Sequence, residues 1–404
     1  MEIRRYTLDD HLPSYRLSME AFGSGPEGPP PAPTVLPAGR EVWLAVDGDD
    51  VAARAAAHSY ESWWHGRRVP TCGIASVAVA PERRGEGLLV PVFEATLGAA
   101  AERGEVLSTL FPTANGIYRP LGYEVVASYD TVVLATADLA VVRPPAGTRT
   151  RRARADDVPA LRRVYDEWAA AQNGPLTRTG PRFTTTDQEL VEAFTAISLA
   201  VDTGPDGQER VVGYALWDRG DGYDPATASL EVHELVAVTA DGYRALWRLL
   251  GTHTSVAGRV RLHTSGDDPA RLVLPTAAWD VVSRHPYMLR VSDPAAALTG
   301  LTWPGGVGGV GEVSEVVLAV AGDRLRSADG TYRLTLGDGP STCERVSPAA
   351  DVATLTPQGL ALLYAGAQSC ANLRMTGHLG GPTVHDAVLD ALLGGRPRHV
   401  RDYF

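Results

Sequence analysis

The chain contains no lysine: all 37 of its basic residues are arginine. High genomic GC content accounts for this bias, and its chemical corollary is that the protein presents no side-chain primary amine. Cysteine is nearly as scarce, and Cys72, Cys343 and Cys370 lie far apart with no C-x-x-C, so neither a disulfide framework nor a zinc site is indicated. The ten histidines show no H-x-x-x-H and no acid cluster at metal spacing, and no metal is expected. No apolar run approaches the roughly 18 residues of a membrane span. The opening Met1-Glu2-Ile3-Arg4-Arg5 leads into polar residues rather than a signal-peptide apolar region, so a cytoplasmic protein without a membrane partner is expected. The formal net charge of −11 argues against nucleic acid and for cationic partners, although an acidic surface also serves solubility alone.

What is present is globular. With 404 residues, 44% hydrophobic and 21% charged, the chain is too long for one ordinary core and divides into two or three domains. Val142 to Thr150 and Pro304 to Gly311 are proline- and glycine-marked breaks, the second domain change falling slightly earlier, near Tyr287. The expected units are 1–146, 147–288 and 289–404.

The most informative stretch is Val77 to Leu89, V-A-V-A-P-E-R-R-G-E-G-L-L. Val77 to Ala80 reads as a buried strand, Pro81 stops it by removing a donor, and Leu88 to Ala101 carries apolar residues at helical spacing. Between them, Arg83, Arg84, Gly85 and Gly87 form a turn in which glycine admits an anion to the backbone and to the free N–H groups of the helix start. A ligand-free strand-to-helix loop is the plain alternative. The pattern R-x-x-G-x-L from Arg84 to Leu89 resembles the acyl-coenzyme A loop of GCN5-related N-acetyltransferases (GNATs), with Leu89 departing from the usual Gly or Ala. A strand at Leu107 to Phe111 and the sequence P-T-A-N-G-I-Y-R-P-L-G-Y from Pro112 to Tyr123 extend the resemblance.

The first two units look like repeats. Arg4 to Arg16 and Arg152 to Val164 each read as a strand ending, an Asp-Asp cap and an amphipathic helix. Glu234 to Leu246 takes the place of Ser76 to Leu88, but Thr239-Ala240-Asp241-Gly242 replaces the arginine-glycine loop, so the second unit reads as an acetyltransferase fold without cofactor binding. Residues 312 to 404, with strands at Val313 to Val320 and Tyr332 to Leu336 and helices at Thr356 to Ala365 and Val384 to Leu393, resemble a small sterol-carrier α+β fold. This α/β order of two tandem GNAT-like domains, the second degenerate, and a sterol-carrier-like domain resembles the enhanced intracellular survival (Eis) N-acetyltransferases.

That resemblance implies acetyl-CoA as co-substrate, a small-molecule amine acceptor of aminoglycoside, polyamine or arylalkylamine type, direct transfer in a ternary complex, and a homo-oligomer, hexameric in the family. It places the acid at Tyr118 rather than Tyr123, and the base at the terminal carboxylate on Phe404, where the alternative is an aromatic packed on its own domain. Backbone N–H groups of Val77 and Val79 would bind the pantetheine arm and the thioester oxygen, and Arg84, Gly85, Gly87 and Leu88 the pyrophosphate. Thr113 sits where the family touches the cofactor from the next strand, and equally fits a simple strand end. Phe22, Trp63 and Trp64 suggest an aromatic wall for the acceptor, beside the stiff loop Gly23 to Pro37 with its single acid, Glu27, although tryptophans on a strand pair more often serve packing than a pocket. The family often carries an acid just before the final residue; here Tyr403 stands there, with Asp402 one step earlier. Ser369-Cys370 near His378 and His385 lacks a nucleophile elbow, which disfavours a hydrolase. The rival readings are a carrier that binds an apolar ligand and merely retains coenzyme A, and a protein-lysine acetyltransferase.

Overall fold

The computed structural model describes residues 1–23, 28, 30–266, 268–274, 279–302 and 314–404; Glu27 and the break Pro304 to Gly311 lie outside them. One sheet contains β1 (Glu2–Arg5), β2 (Arg40–Asp47), β3 (Asp50–Trp64), β4 (Arg67–Val79), β5 (Leu107–Leu110), β6 (Glu124–Ala135), β7 (Arg149–Arg152), β8 (Ala196–Thr203), β9 (Glu209–Arg219), β10 (Ser229–Ala237), β11 (Arg259–Thr264) and β12 (Asp280–Val291). Their order is β1-β2-β3-β4-β5-β12-β6-β11-β10-β9-β8-β7. Chain order and sheet order part at β12, which lies antiparallel between β5 and β6, with Met288 opposite Leu110 and Leu289 opposite Glu124. The far edge of β6 pairs with β11, so the sheet runs unbroken through both units.

The repeat read from the sequence has a structural counterpart down to single ion pairs. β1 runs through the turn Leu8–Asp10 into α1 (His11–Phe22), and β7 through Ala155–Asp157 into the helix Val158–Ala170. In each, an arginine six residues before the aspartate forks its carboxylate, Arg4 on Asp10 at 2.7 Å and Arg151 on Asp157 at 2.7 and 2.8 Å. Each aspartate also accepts the N–H three residues earlier, from Thr7 or Arg154, which closes the turn and starts the helix. The parallel pair β4 and β5 recurs as β10 and β11.

β3 is buried through most of its length because helices cover both faces. Ala53, Ala55 and Ala57 meet Val92, Phe93 and Leu97 of α2 (Leu89–Glu102), their small side chains letting that helix lie close. Arg54, Ala56, His58 and Tyr60 alternate with them and so face the other way, toward α1, whose Ser14 carbonyl accepts from Arg54. A five-stranded sheet with helices Pro357–Tyr364, Cys370–Met375 and Asp386–Leu393 forms the last unit. The helix at Cys370–Met375 was not anticipated as a separate element.

The tryptophans do not form an acceptor wall. Trp64 is fully buried, its ring 5.6 Å from that of Tyr364 and its indole N–H donating to Ser62 Oγ at 2.9 Å. Trp63 packs among Leu161, Val164 and Tyr165 of the second unit. Both positions follow from the turn between β3 and β4, which projects into the seam where the three units meet.

Candidate active site

β4 and β5 pair only from Thr71 opposite Leu107 to Ile74 opposite Leu110. Beyond that, β4 runs on to Val79 while β5 stops, opening a cleft of about 710 Å³. A bulge sits at this point: the register with β3 skips between Ala75 and Ala78, and Ser76 has φ +50°. Past the bulge, the Ala80 N–H donates to Ala52 O, so strand alternation turns the N–H groups of Val79 and Val77 to the opposite edge, where the cleft lies.

Every residue assigned to cofactor binding lines this one cleft: Val77, Val79, Arg84, Gly85, Gly87, Leu88 and Thr113. Gly85 and Gly87 have φ of +88° and +75°, and a Cβ on either would meet no atom within 4 Å. The glycines are thus required by backbone conformation, and the space over them is open to a ligand. Of the two loop arginines, Arg83 is engaged by Glu86 at 2.9 Å and Asp47 at 3.0 Å, whereas Arg84 is exposed and forms no ion pair with a described residue. An arginine, glycines of positive φ and the first turn of α2 together suit a pyrophosphate, and the unpaired strand edge suits an extended amide chain.

Tyr118 ends the short helix α3 (Asn115–Tyr118) and lines the same cleft. Its hydroxyl makes no hydrogen bond to a described residue, and burial pushes its pKa up to about 12. Tyr123 differs in kind: it is completely buried, and its hydroxyl is engaged with Ser108 Oγ at 2.6 Å.

Phe404 lies on the α1 face of the sheet, its ring 5.1 Å from Tyr60 and 5.5 Å from Phe111. Neighbouring residues tether it to the second unit. Pro397 O accepts from the Asn173 N–H, the His399 N–H donates to Asn173 O at 2.9 Å, Arg401 donates to His263 O at 2.7 Å, and Asp402 pairs with Arg178 at 2.9 Å. The unit that lacks the cofactor loop therefore holds the C-terminal segment. Gly73 makes the seat, since a Cβ there would lie 2.6 Å from the Tyr60 ring and 2.9 Å from that of Phe404. Gly73→Ala is expected to displace both rings and loosen the seat of the C-terminal segment, lowering Tm; an unaltered Tm would show that the ring position is immaterial.

Sequence reasoning missed Arg324, which reaches the cleft from the last unit. The adjacent Asp323 is fixed by Arg290 through bonds of 2.9 and 2.7 Å, and Arg290 also donates to Leu121 O at 2.8 Å. No local pattern around Arg324 signals this, because its partner strand and the cleft lie far away in sequence. Phe22, unlike the two tryptophans, lines the same cleft as Tyr118.

Comparison with known proteins agrees with this architecture. Acetyltransferase (GNAT) domain families match residues 2–126 and 174–291, and a sterol carrier protein domain matches 294–401. The chain is a GNAT acyltransferase with two acetyltransferase domains. It is 29% identical to an uncharacterized N-acetyltransferase of Streptomyces avermitilis, covering 82% of this chain and 81% of that one. It is likewise 29% identical to the N-acetyltransferase Eis of Mycobacterium tuberculosis, over 77% and 74% of the two chains. A GCN5-related N-acetyltransferase from Kribbella flavida superposes with a TM-score of 0.77 at 28% identity, covering 100% of this chain and 98% of that one. In its domain content and over most of its length the chain is similar to the Eis N-acetyltransferases.

Proposed function

We propose that the protein acetylates a primary amine of a small molecule with acetyl-CoA, by direct transfer while both substrates are bound. The observation that carries this reading is the convergence, in one cleft, of Arg84, the open glycine turn, the unpaired edge of β4 and an unbonded tyrosine hydroxyl. Acetyl-CoA supplies the acetyl group as a thioester. The N–H groups of Val77 and Val79 hold the carbonyl oxygen as charge develops on it. An α-carboxylate, with an unperturbed pKa of about 3.3 to 3.7, is ionised at neutral pH, and that of Phe404 takes the ammonium proton directly or through water. As the N–C bond forms and the C–S bond breaks, the Tyr118 hydroxyl protonates the departing thiolate, and the second proton shed by the attacking nitrogen restores the hydroxyl.

The test is thiol release from acetyl-CoA against a panel of amines, with the full chain beside a variant lacking Phe404. Turnover that vanishes in the variant while coenzyme A still binds is the expected result. Equal turnover in both would remove Phe404 from the mechanism, and absence of coenzyme A binding would overturn the acetyl-transfer reading.

A further inference from the structure

The α1 face of the sheet is basic beside the cleft. A cavity of about 390 Å³ lies there, lined in part by Tyr6, Ser14, Ser18, Arg40, Arg54 and Ser76. Arg54 is only 7% exposed; its Nη1 donates to Ser14 O at 3.0 Å and to Ser18 Oγ, while its Nε is buried without a partner among the described residues. The same holds for the Nε of Arg40. Neither guanidinium pairs with a carboxylate among the described residues. Among the described residues, two acids of the neighbouring elements are engaged elsewhere, Asp10 by Arg4 at 2.7 Å and Glu41 by Arg103 at 3.0 Å.

Arg182 of the second unit adds a third cation to this face, lying against Gly39, the residue before Arg40. Burial, Arg182 and Arg40 together lower the His58 pKa to about 4, and burial with the neighbouring Arg40 lowers that of Arg54 to about 10. Buried charges in proteins are paired almost without exception, because desolvation is otherwise uncompensated. A guanidinium also presents a fork of donors that matches a carboxylate or phosphate. The position ties this cavity to the chemistry. Ser76, in the β4 bulge, lines the cavity, and the next residue, Val77, lines the cofactor cleft.

We infer that the acceptor is a primary amine carrying an anionic oxygen group, carboxylate or phosphate, which Arg40 and Arg54 hold while the amine reaches past the bulge to the cleft. This rests on the acetyl-transfer reading. It also turns specificity away from polyamines and aminoglycosides, whose several positive charges would meet arginine rather than acid.

The experiment uses the full chain saturated with coenzyme A and matched probes: O-phosphoethanolamine against ethanolamine, phenylalanine against its amide, and spermine as the polycation. Calorimetry reads binding and thiol release from acetyl-CoA reads turnover. The member bearing the anionic oxygen group in at least one pair is expected to bind about tenfold or more tightly than its partner lacking that group, and the pair that discriminates tells phosphate from carboxylate. Arg54→Met should bring that ratio toward parity without lowering Tm, since it removes an unpaired buried charge; a merely structural arginine would lower Tm and leave the ratio. Arg40→Gln, at a half-buried position, repeats the test should Arg54→Met misfold. Parity in both pairs, or tighter binding of spermine, overturns the inference while leaving acetyl transfer untouched. Selective binding of the anionic probes without turnover of any amine supports the anion site and counts against acetyl transfer.

Discussion

Replacing Tyr118 with phenylalanine is expected to lower kcat roughly 10²- to 10⁴-fold, the range over which a positioned general acid contributes, with coenzyme A affinity unchanged. One oxygen is lost, while the ring keeps its contacts with Phe93 and Tyr123 at centroid distances of 6.1 and 6.3 Å. The pH profile adds a second signature. Burial holds the hydroxyl protonated up to about pH 12, so the native rate should rise as the acceptor amine loses its proton and then stay level through the ordinary alkaline range. An alkaline fall centred near the ordinary tyrosine value of about 10 would show that a different hydroxyl serves. Tyr123→Phe is the control: it breaks the bond to Ser108 and should weaken packing while leaving protonation of the thiolate intact. If Tyr118→Phe kept near-native kcat and Tyr123→Phe lost it, the two roles would be exchanged.

Arg178→Met is expected to cost about 3 kcal/mol of stability, the low end for breaking a buried ion pair, because the arginine side chain keeps 27% of its surface exposed. The guanidinium donates to both Glu234 oxygens at 3.0 and 2.6 Å and to Asp402 at 2.9 Å, while lying 4.0 Å over the Tyr165 ring. Burial opposes ionisation of Glu234, yet the guanidinium outweighs it and keeps that carboxyl below its usual range. At Asp402 burial prevails and the pKa is raised. The lowered Glu234 pKa means that its contribution is present above the unfolded value and is lost as pH falls through the folded one. In the variant the Glu234 and Asp402 carboxylates face each other without the guanidinium that bridges them, so the sign reverses and the penalty should ease on acidification. Thermal unfolding at pH 8 and pH 5 checks this; an equal loss of Tm at both values would mean that packing over Tyr165 matters more than charge. Turnover should fall as well, since Asp402 is two residues from Phe404.

The features legible in the sequence are the contiguous ones. The cofactor loop was readable because strand, turn and helix start follow one another from Val77 to Leu89, and all of the assigned cofactor residues do line one cleft. The repeat was readable because Arg4 and Asp10, like Arg151 and Asp157, are close in the chain as well as in space. What escaped depends on long-range pairing. Nothing around Asp280 to Val291 tells that it belongs between β5 and β6, since a short buried run such as Tyr287 to Val291 looks alike in either sheet half. Arg40 and Arg54 look like ordinary strand arginines until β2 and β3 are paired and α1 covers them. For Trp63 and Trp64 the sequence left pocket and packing both open, because a turn between two strands offers no local sign of the units that enclose it; the structure shows packing.

The placement of β12 also governs how the molecule comes into being. A nascent chain that has passed the ribosome only as far as Tyr123 already holds every residue lining the cofactor cleft except Arg324. Yet β5 still presents a bare edge, and the strand that covers it ends at Val291. Contacts of such long sequence separation form slowly and leave partly folded species open to association. The sheet that carries the cleft is therefore completed only when the second acetyltransferase unit has been made.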